Sequence, residues 1–450
     1  MKTLARRLAE YAAAVRFEEL APETVHEVKR RVLDSFGCAY GAYDGEVGRI
    51  VRQAAAAAEA RPGAAVFGAG GAALPGLAAF ANGAMVRYLD YNDTYLSLEP
   101  AHPSDNIPAC FAVAEAAGAD GRALIAAIAL AYEMQCRLCD AASIRLRGWD
   151  HVTYGCFSTA LAAGVLMGLD VDCLEQAVNL AGVNSAALRQ TRAGELSHWK
   201  GCAFANAARN GVFAAWLASL GLTGPFEIFE GPMGFWNQVS GPFDLDVESW
   251  GPPSMIRRTS IKFWPAEYHS QSAIDAALTL REQAPAEQVA AIRIHSFDAA
   301  VDIIGSESEK WQPTTRETAD HSMPYCVAVA LLDGEVGLDQ FSEERIRRAD
   351  VRELMQKIAI LRDPALTARY PEGIPNRLEI SLRDGRTLTR EVTYPRGHAR
   401  NPMTDDEVSA KYRSLAALCL PDSRAEALEQ RVWRLESQDP RAVMGATRVD

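Results

Sequence analysis

Asp120-Gly-Arg-Ala-Leu-Ile-Ala-Ala-Ile-Ala-Leu-Ala-Tyr-Glu-Met-Gln-Cys-Arg-Leu-Cys-Asp-Ala-Ala142 sets the fold class of this chain. Its larger apolar residues, Leu124, Ile128, Tyr132 and Cys136, recur at helical steps, and alanine fills most of the remaining surface. A helix of that composition is expected to be buried on most sides. Its start is punctuated by Gly118-Ala-Asp120-Gly121. The same pattern predicts helices over Pro22–Ala42, Ser104–Ala117, Tyr154–Gly168, Cys173–Leu188 and Gly194–Leu220. Gly168-Leu-Asp170 and Gly221-Leu-Thr-Gly224-Pro225 supply the stops. Strands are nearly absent in this half, which therefore reads as a helical bundle.

Past Gly251-Pro252-Pro253 the pattern changes. Val289–Phe297 carries the alternating Ile292 and Ile294 of a strand, and Arg377–Tyr394 reads as a hairpin turning at Asp384-Gly385. Helices are expected between them at 268–282, 318–332 and 343–358, and again from Thr404 onward. The expected fold class is mainly α, a large all-helical bundle domain plus a smaller α+β domain. The expected ranges are 1–255 for the helical domain, 256–398 for the α+β domain, and 399–450 for helices returning to the bundle.

The 450-residue length favours two domains over one. With 48% apolar and 23% charged residues, wholesale disorder is excluded. The net charge of −12 argues against nucleic acid or an anionic membrane as partner, so an anionic substrate needs a local cluster of cations. Nine cysteines without framework spacing suggest free thiols and a cytoplasmic location. Arg6, Arg7, Glu10 and Arg16 interrupt any leader-like apolar run near the start. Two uncharged stretches, Pro62–Val86 and His151–Leu169, are broken by glycine, proline or hydroxyl residues and are expected to be buried core, not membrane spans.

Several motifs fail on their context. Gly68-Ala-Gly70-Gly-Ala-Ala73 with Asp90 superficially copies a dinucleotide fingerprint, but no β/α alternation follows. The eight histidines never approach closer than 26 positions, so no zinc-binding helix pair exists. Cys136-Arg-Leu-Cys139 is the only Cys-x-x-Cys pair and lies inside the decisive helix. Buried structural thiols fit it better than a cluster site.

Other segments concentrate polar groups where apolar ones are expected. Leu89-Asp90-Tyr-Asn-Asp93-Thr94-Tyr95 precedes Ala101-His102-Pro-Ser-Asp-Asn106. Ser104 or Asp105 could cap the following helix, yet Asp90, Asp93, Thr94 and His102 exceed the needs of one cap. A carboxylate orienting an imidazole makes a general base near neutral pH, which points to His102. Gly148-Trp-Asp150-His151 leads into a very apolar helix, where His151 could be a core histidine or a functional one. Lys200, beside Trp199, and Lys262, in Lys262-Phe-Trp-Pro-Ala-Glu267-Tyr-His269-Ser-Gln271, are two of only seven lysines. An ammonium in such surroundings must meet an anion, either an internal carboxylate or a substrate's. Asp320-His-Ser-Met-Pro-Tyr325 opens a helix and is a weaker anion-site candidate.

At these residues the chain resembles the MmgE/PrpD family of 2-methylcitrate dehydratases and their relatives. The matching stretches include Leu89–Tyr95, His102–Asn106, Gly148–His151, Gly194-Glu-Leu-Ser, Trp199-Lys-Gly201, Asn210-Gly211, Pro265–Gln271 and Arg316–Ser322 with Tyr325. The resemblance implies a helical domain with a smaller lid domain, an active site between them, a homodimer, and no metal or other cofactor. It places active-site groups at Asp90, Thr94, His102, His151, Lys200, Lys262, His269 and Tyr325. The family includes cis-aconitate decarboxylases and iminodisuccinate epimerases; Pro265–Gln271 looks like the dehydratase branch. Ser97-Leu-Glu-Pro-Ala101 differs from the bulkier stretch of some dedicated methylcitrate dehydratases, which makes citrate a second candidate substrate.

The implied reaction is removal of water from 2-methylcitrate or citrate. Lys200 and Lys262, with Arg192 as a third cation, are expected to hold carboxylates of this di- or tricarboxylate and stabilise the developing enolate-like charge. His102, oriented by Asp90, is expected to transfer the proton; His151 or Tyr325 would protonate the leaving hydroxyl, and Thr94 and His269 would hold the substrate. Alternatives are a sister activity on another polycarboxylate, a non-catalytic polycarboxylate-binding protein, and a metal-dependent hydro-lyase.

Overall fold

The computed structural model describes residues 2–449. They divide into two compact units, residues up to Arg192 with His198–Thr259 and the stretch from Thr404 in the first, and Ala193–Ser197 with Ser260–Met403 in the second. Among the described residues, no helix is long and apolar enough to cross a membrane.

The first unit is helical: α1 (Leu4–Ala14), α2 (Pro22–Gly41), α3 (Glu46–Ala56), α4 (Pro75–Tyr88), α5 (Ile107–Ala117), α6 (Gly121–Ala141), α7 (Thr153–Leu166), α8 (Val171–Asn184) and α9 (Trp199–Ser219). Helix Asp405–Ala416 packs on α2. The Asp120 carboxylate caps α6 by accepting from the Ala123 N–H at 2.8 Å, and Gly118, at φ 71°, ends α5 in the left-handed conformation. Helix α7 is buried at every residue except Val165, because α5, α6, α8 and α9 surround it. Full burial of a ring such as Phe157 contributes about 1.5–3 kcal/mol. Such packing needs a bare backbone somewhere: a Cβ on Gly211 of α9 would sit 2.8 Å from the Cys156 carbonyl oxygen of α7.

The second unit is a four-stranded sheet with helices against it. The strand order is β4 (Ile358–Arg362), β3 (Val289–Ser296), β5 (Asn376–Leu382), β6 (Thr387–Val392), with β3 and β4 parallel and the other pairs antiparallel. Alternate residues of β5 are buried, and α10 (Gln271–Arg281) covers that sheet with helix Met323–Asp333 beside it. Gly385 takes φ 90° in the β5–β6 turn, where the Asp-Gly pair predicts it.

The structure is mainly α with a smaller α/β part, and some elements differ from the sequence reading. A hairpin of β1 (Glu59–Ala65) and β2 (Ala72–Ala73) lies in the half where strands are expected to be nearly absent. Much of residues 62–73 is accordingly part-exposed, not core, because the hairpin has no alternating apolar face to bury. Pro103–Asn106 is a 3₁₀ turn, and α5 begins only at Ile107. Helix α9 begins at Trp199, since Gly194 sits at φ 68° outside it. The expected helix at 343–358 is two short ones, Glu343–Ile346 and Ala349–Met355, and Ile358 opens β4.

Candidate active site

In the first unit, α4 ends at Tyr88 and the chain turns sharply at Asp90, whose φ is 50°. The turn brings the buried Asp90 carboxylate onto the Arg87 guanidinium, one helical turn back. Lys200 Nζ, in the first turn of α9, lies 3.7 Å from the same carboxylate, and both groups are buried. The lysine singled out from sequence therefore meets an internal anion.

His102 Nδ1 contacts the Asp93 carbonyl oxygen at 2.7 Å and Nε2 contacts Arg87 Nη2 at 3.0 Å. A carbonyl only accepts and a guanidinium only donates, so the ring is neutral with its proton on Nδ1. The sequence reading made Asp90 the group that orients His102. Instead Asp93 and Arg87 hold the ring, and Asp90 binds Arg87. The reason is reach: after the turn at 90, the main chain itself passes the imidazole.

The His102–Asn106 segment is braced on every side. Asp93 accepts from the Ser104 N–H at 2.9 Å and the Tyr132 hydroxyl at 2.7 Å. Asn92 donates to the Ser104 hydroxyl and to Asp105, and Asn106 accepts from the Ser158 and Thr159 hydroxyls. Burial pushes the Asp105 carboxyl up to about 7, against the pull of Arg87. Thr94 is buried and donates to the Ala101 carbonyl at 3.3 Å.

His151 lies two residues before α7, and its ring centroid is 5.8 Å from that of His102. Its Nδ1 lies 2.9 Å from Asp150, which also receives Arg192 Nε at 3.0 Å. Burial alone would raise the Asp150 carboxyl, but Arg192 and His151 bring it below its usual range. Burial lowers the His151 imidazole, with Asp150 pulling the other way. Arg192 also donates to the Lys200 carbonyl at 3.1 Å, so two of its nitrogens serve the protein's own frame.

The second unit holds its own group. His269 Nδ1 and its N–H both meet the Glu267 carboxylate at 2.7 Å, and Nε2 faces the Tyr370 hydroxyl at 3.4 Å. Burial would raise Glu267, yet His269, His321 and Lys262 hold it down at about 2. Lys262 is fully buried beside this group. Gln271 ties the preceding loop by bonding the Trp264 N–H and carbonyl and the Ala266 carbonyl. The Tyr325 hydroxyl is engaged elsewhere: it donates to the Gln340 carbonyl, with its ring near Phe341.

The structure thus gathers Asp90, Thr94, His102, His151, Lys200 and Arg192 in one unit, and Lys262 and His269 in the other. Sequence reasoning missed Arg87 and assigned no role to Asp150 or Glu267. A signal for Arg87 existed: between Arg61 and Arg87 there is no charged residue, the same isolation that drew attention to Lys200.

Two family matches cover the chain, the MmgE/PrpD N-terminal domain over residues 6–248 and the MmgE/PrpD C-terminal domain over 264–436. The chain belongs to the MmgE/PrpD family. Among MmgE/PrpD relatives, the 2-methylcitrate dehydratase of Escherichia coli K12 is 32% identical over 352 residues, 72% of each chain. That of Cupriavidus necator is 31% identical over 382 residues, covering 79% of this chain and 78% of the relative. The cis-aconitate decarboxylase of Mus musculus is 26% identical across 99% of this chain and 93% of its own. Membership of MmgE/PrpD with these relatives places the chain among lyase-type enzymes. Cys136 and Cys139 are both buried in α6, and burial pushes their thiols well above the usual range.

Proposed function

We propose that this protein is a hydro-lyase that removes water from 2-methylcitrate or citrate by acid/base catalysis from imidazoles, without a metal. The observation that carries the reading is a pair of neutral imidazoles, His102 and His151, 5.8 Å apart, in a unit that also buries Arg87 and Lys200. Elimination breaks a C–H bond α to a carboxylate, and the freed electron pair forms the C=C bond. The β-hydroxyl leaves as water once it takes a proton. One imidazole accepts the carbon-bound proton and becomes an imidazolium, and a proton passed on from it to the departing hydroxyl leaves both rings neutral again. Lys200 and Lys262 are assigned to substrate carboxylates, where a cation stabilises the charge that develops in the transition state. Thr94 and His269 are assigned to substrate binding. With the Tyr325 hydroxyl given to the Gln340 carbonyl, the two proton transfers are assigned to His102 and His151.

The test supplies 2-methylcitrate, citrate and cis-aconitate separately in chelator-containing buffer, following alkene absorbance and released carbon dioxide. Alkene from either hydroxy acid is expected. Carbon dioxide from cis-aconitate would replace this reading with the decarboxylase activity named for the Mus musculus relative. Tight binding without turnover would make the protein a polycarboxylate binder. His102→Ala should lower kcat by roughly 10²–10⁴, and a variant with near wild-type kcat removes His102 from the chemistry. We also assign a second copy of the chain to the exposed Phe213 and Trp216 of α9 and Leu220 just past its end; a monomer by light scattering would overturn that.

A further inference from the structure

His102 and His151 are both neutral rings, yet their second nitrogens differ. The Nε2 of His102 accepts a hydrogen bond from Arg87, whereas the Nε2 of His151 is buried and has no hydrogen-bond partner among the described residues. What separates them is the group behind each ring: a main-chain carbonyl for His102, a carboxylate for His151.

We infer that Asp150 is a positioning residue that fixes His151 as the Nδ1–H tautomer and so makes His151 Nε2, and not His102, the group that accepts the carbon-bound proton, with Arg192 bracing Asp150. This rests on the hydro-lyase reading above. Asp150 can hold the ring because its own place is fixed. Its N–H donates to the Ala187 carbonyl at 2.8 Å, and the neighbouring Trp149 forms an antiparallel bridge with Leu188. The Ala187 N–H in turn donates to the Thr153 hydroxyl. One carboxylate oxygen accepts from His151 Nδ1 and from the Val152 N–H at 3.3 Å, and the other from Arg192 Nε. With the proton on Nδ1, the Nε2 lone pair faces outward from the dyad. When Nε2 takes the proton, the imidazolium stays paired with Asp150, as a carboxylate behind a catalytic histidine does elsewhere. Arg192, expected from sequence to bind substrate, acts through Asp150 instead.

Two measurements decide this. In wild-type protein with ¹⁵N-labelled histidine, His151, assigned by its loss in His151→Asn, should show a protonated Nδ1 and a bare Nε2. An Nε2–H tautomer overturns the inference, and this readout needs neither turnover nor a folded Asp150 variant. It also separates failure of the inference from failure of the functional reading, since it stands even if none of the three acids reacts. In turnover, Asp150→Asn should lower kcat by roughly 10²–10⁴ with KM little changed, and Asp150→Glu should recover part of the loss. The charged and titratable groups facing His151 are Asp150, Arg192, Glu99 and the His102 ring. Removing the nearer of the two carboxylates, Asp150, disfavours the imidazolium, so the acid limb of kcat/KM should move to lower pH in Asp150→Asn. An unmoved limb, with activity falling only as the folded fraction falls, makes Asp150 structural and overturns the inference.

Discussion

Asp90 balances two buried cations, Arg87 and Lys200, from a left-handed backbone position. Those demands can be separated by substitution. Asn tolerates the left-handed region, so Asp90→Asn removes the charge and keeps the backbone. It leaves two buried cations facing a neutral amide, an arrangement expected to cost about 3–5 kcal/mol. Asp90→Ala should cost about 1 kcal/mol more, because an alanine at φ 50° adds backbone strain. Urea unfolding of both variants checks this; equal midpoints would mean the turn at 90 carries no strain. The candidate histidines were legible in sequence because each sits in a short cluster of polar residues within a largely apolar stretch, and the lysines because each stands beside aromatic residues. Arg87 was not singled out, because one arginine near a helix end resembles ordinary charge complementing the helix dipole. Only the fold shows that it reaches both Asp90 and His102.

Helix α9 shows why a motif can be visible in sequence for reasons of packing. Asn210-Gly211 is part of the family resemblance, yet the structure gives Gly211 a steric task, the close approach of α9 to α7. A Cβ there would stand 2.8 Å from the Cys156 carbonyl and 2.9 Å from the Thr159 Cβ. Since neither is the end of a flexible side chain, Gly211→Ala should destabilise by about 1–3 kcal/mol. Gly445, in helix Pro440–Ala446, has nothing within 4 Å of its absent Cβ, so Gly445→Ala should stabilise by about 0.4–1 kcal/mol. Thermal unfolding of the pair tests the assignment, and a neutral Gly211→Ala would show that α7 and α9 can separate cheaply. Elements were legible where one period dominates a long window, as in α6, or where a turn dipeptide sits between alternating strands, as in β5 and β6. β4 went unpredicted, the expected helix at 343–358 reaching only its first residue, because Ile-Ala-Ile-Leu-Arg is too short to separate the two periods. The hairpin of β1 and β2 carries neither alternation nor branched residues, so nothing local announced it.

Across the whole molecule, the −12 charge and a cation-lined candidate site are compatible because potential near a buried cluster follows its nearest charges. Burial has a further consequence for how stability varies with pH. Glu267, held at about 2, and Asp150 are depressed carboxylates. Their contribution is full above the ordinary carboxylate range and is lost as pH falls through their folded values. Asp105 and Glu115 act in the opposite sense, raised by burial to about 7 and about 8. For these the unfolded chain ionises first, near 3.8 and 4.5, so stability declines as pH rises from there through 7 and 8. Glu115 offers the cleaner test, because it lies outside the candidate site and its oxygens accept from the Ala65 N–H at 3.3 Å. A glutamine keeps an acceptor for that N–H without a proton to lose. Glu115→Gln should therefore unfold at a higher temperature than wild type at pH 8, while near pH 5, where the folded glutamate is already protonated, the difference should shrink. A difference that is the same at both pH values would show that Glu115 stays ionised in the folded chain, with the Arg441 guanidinium outweighing its burial.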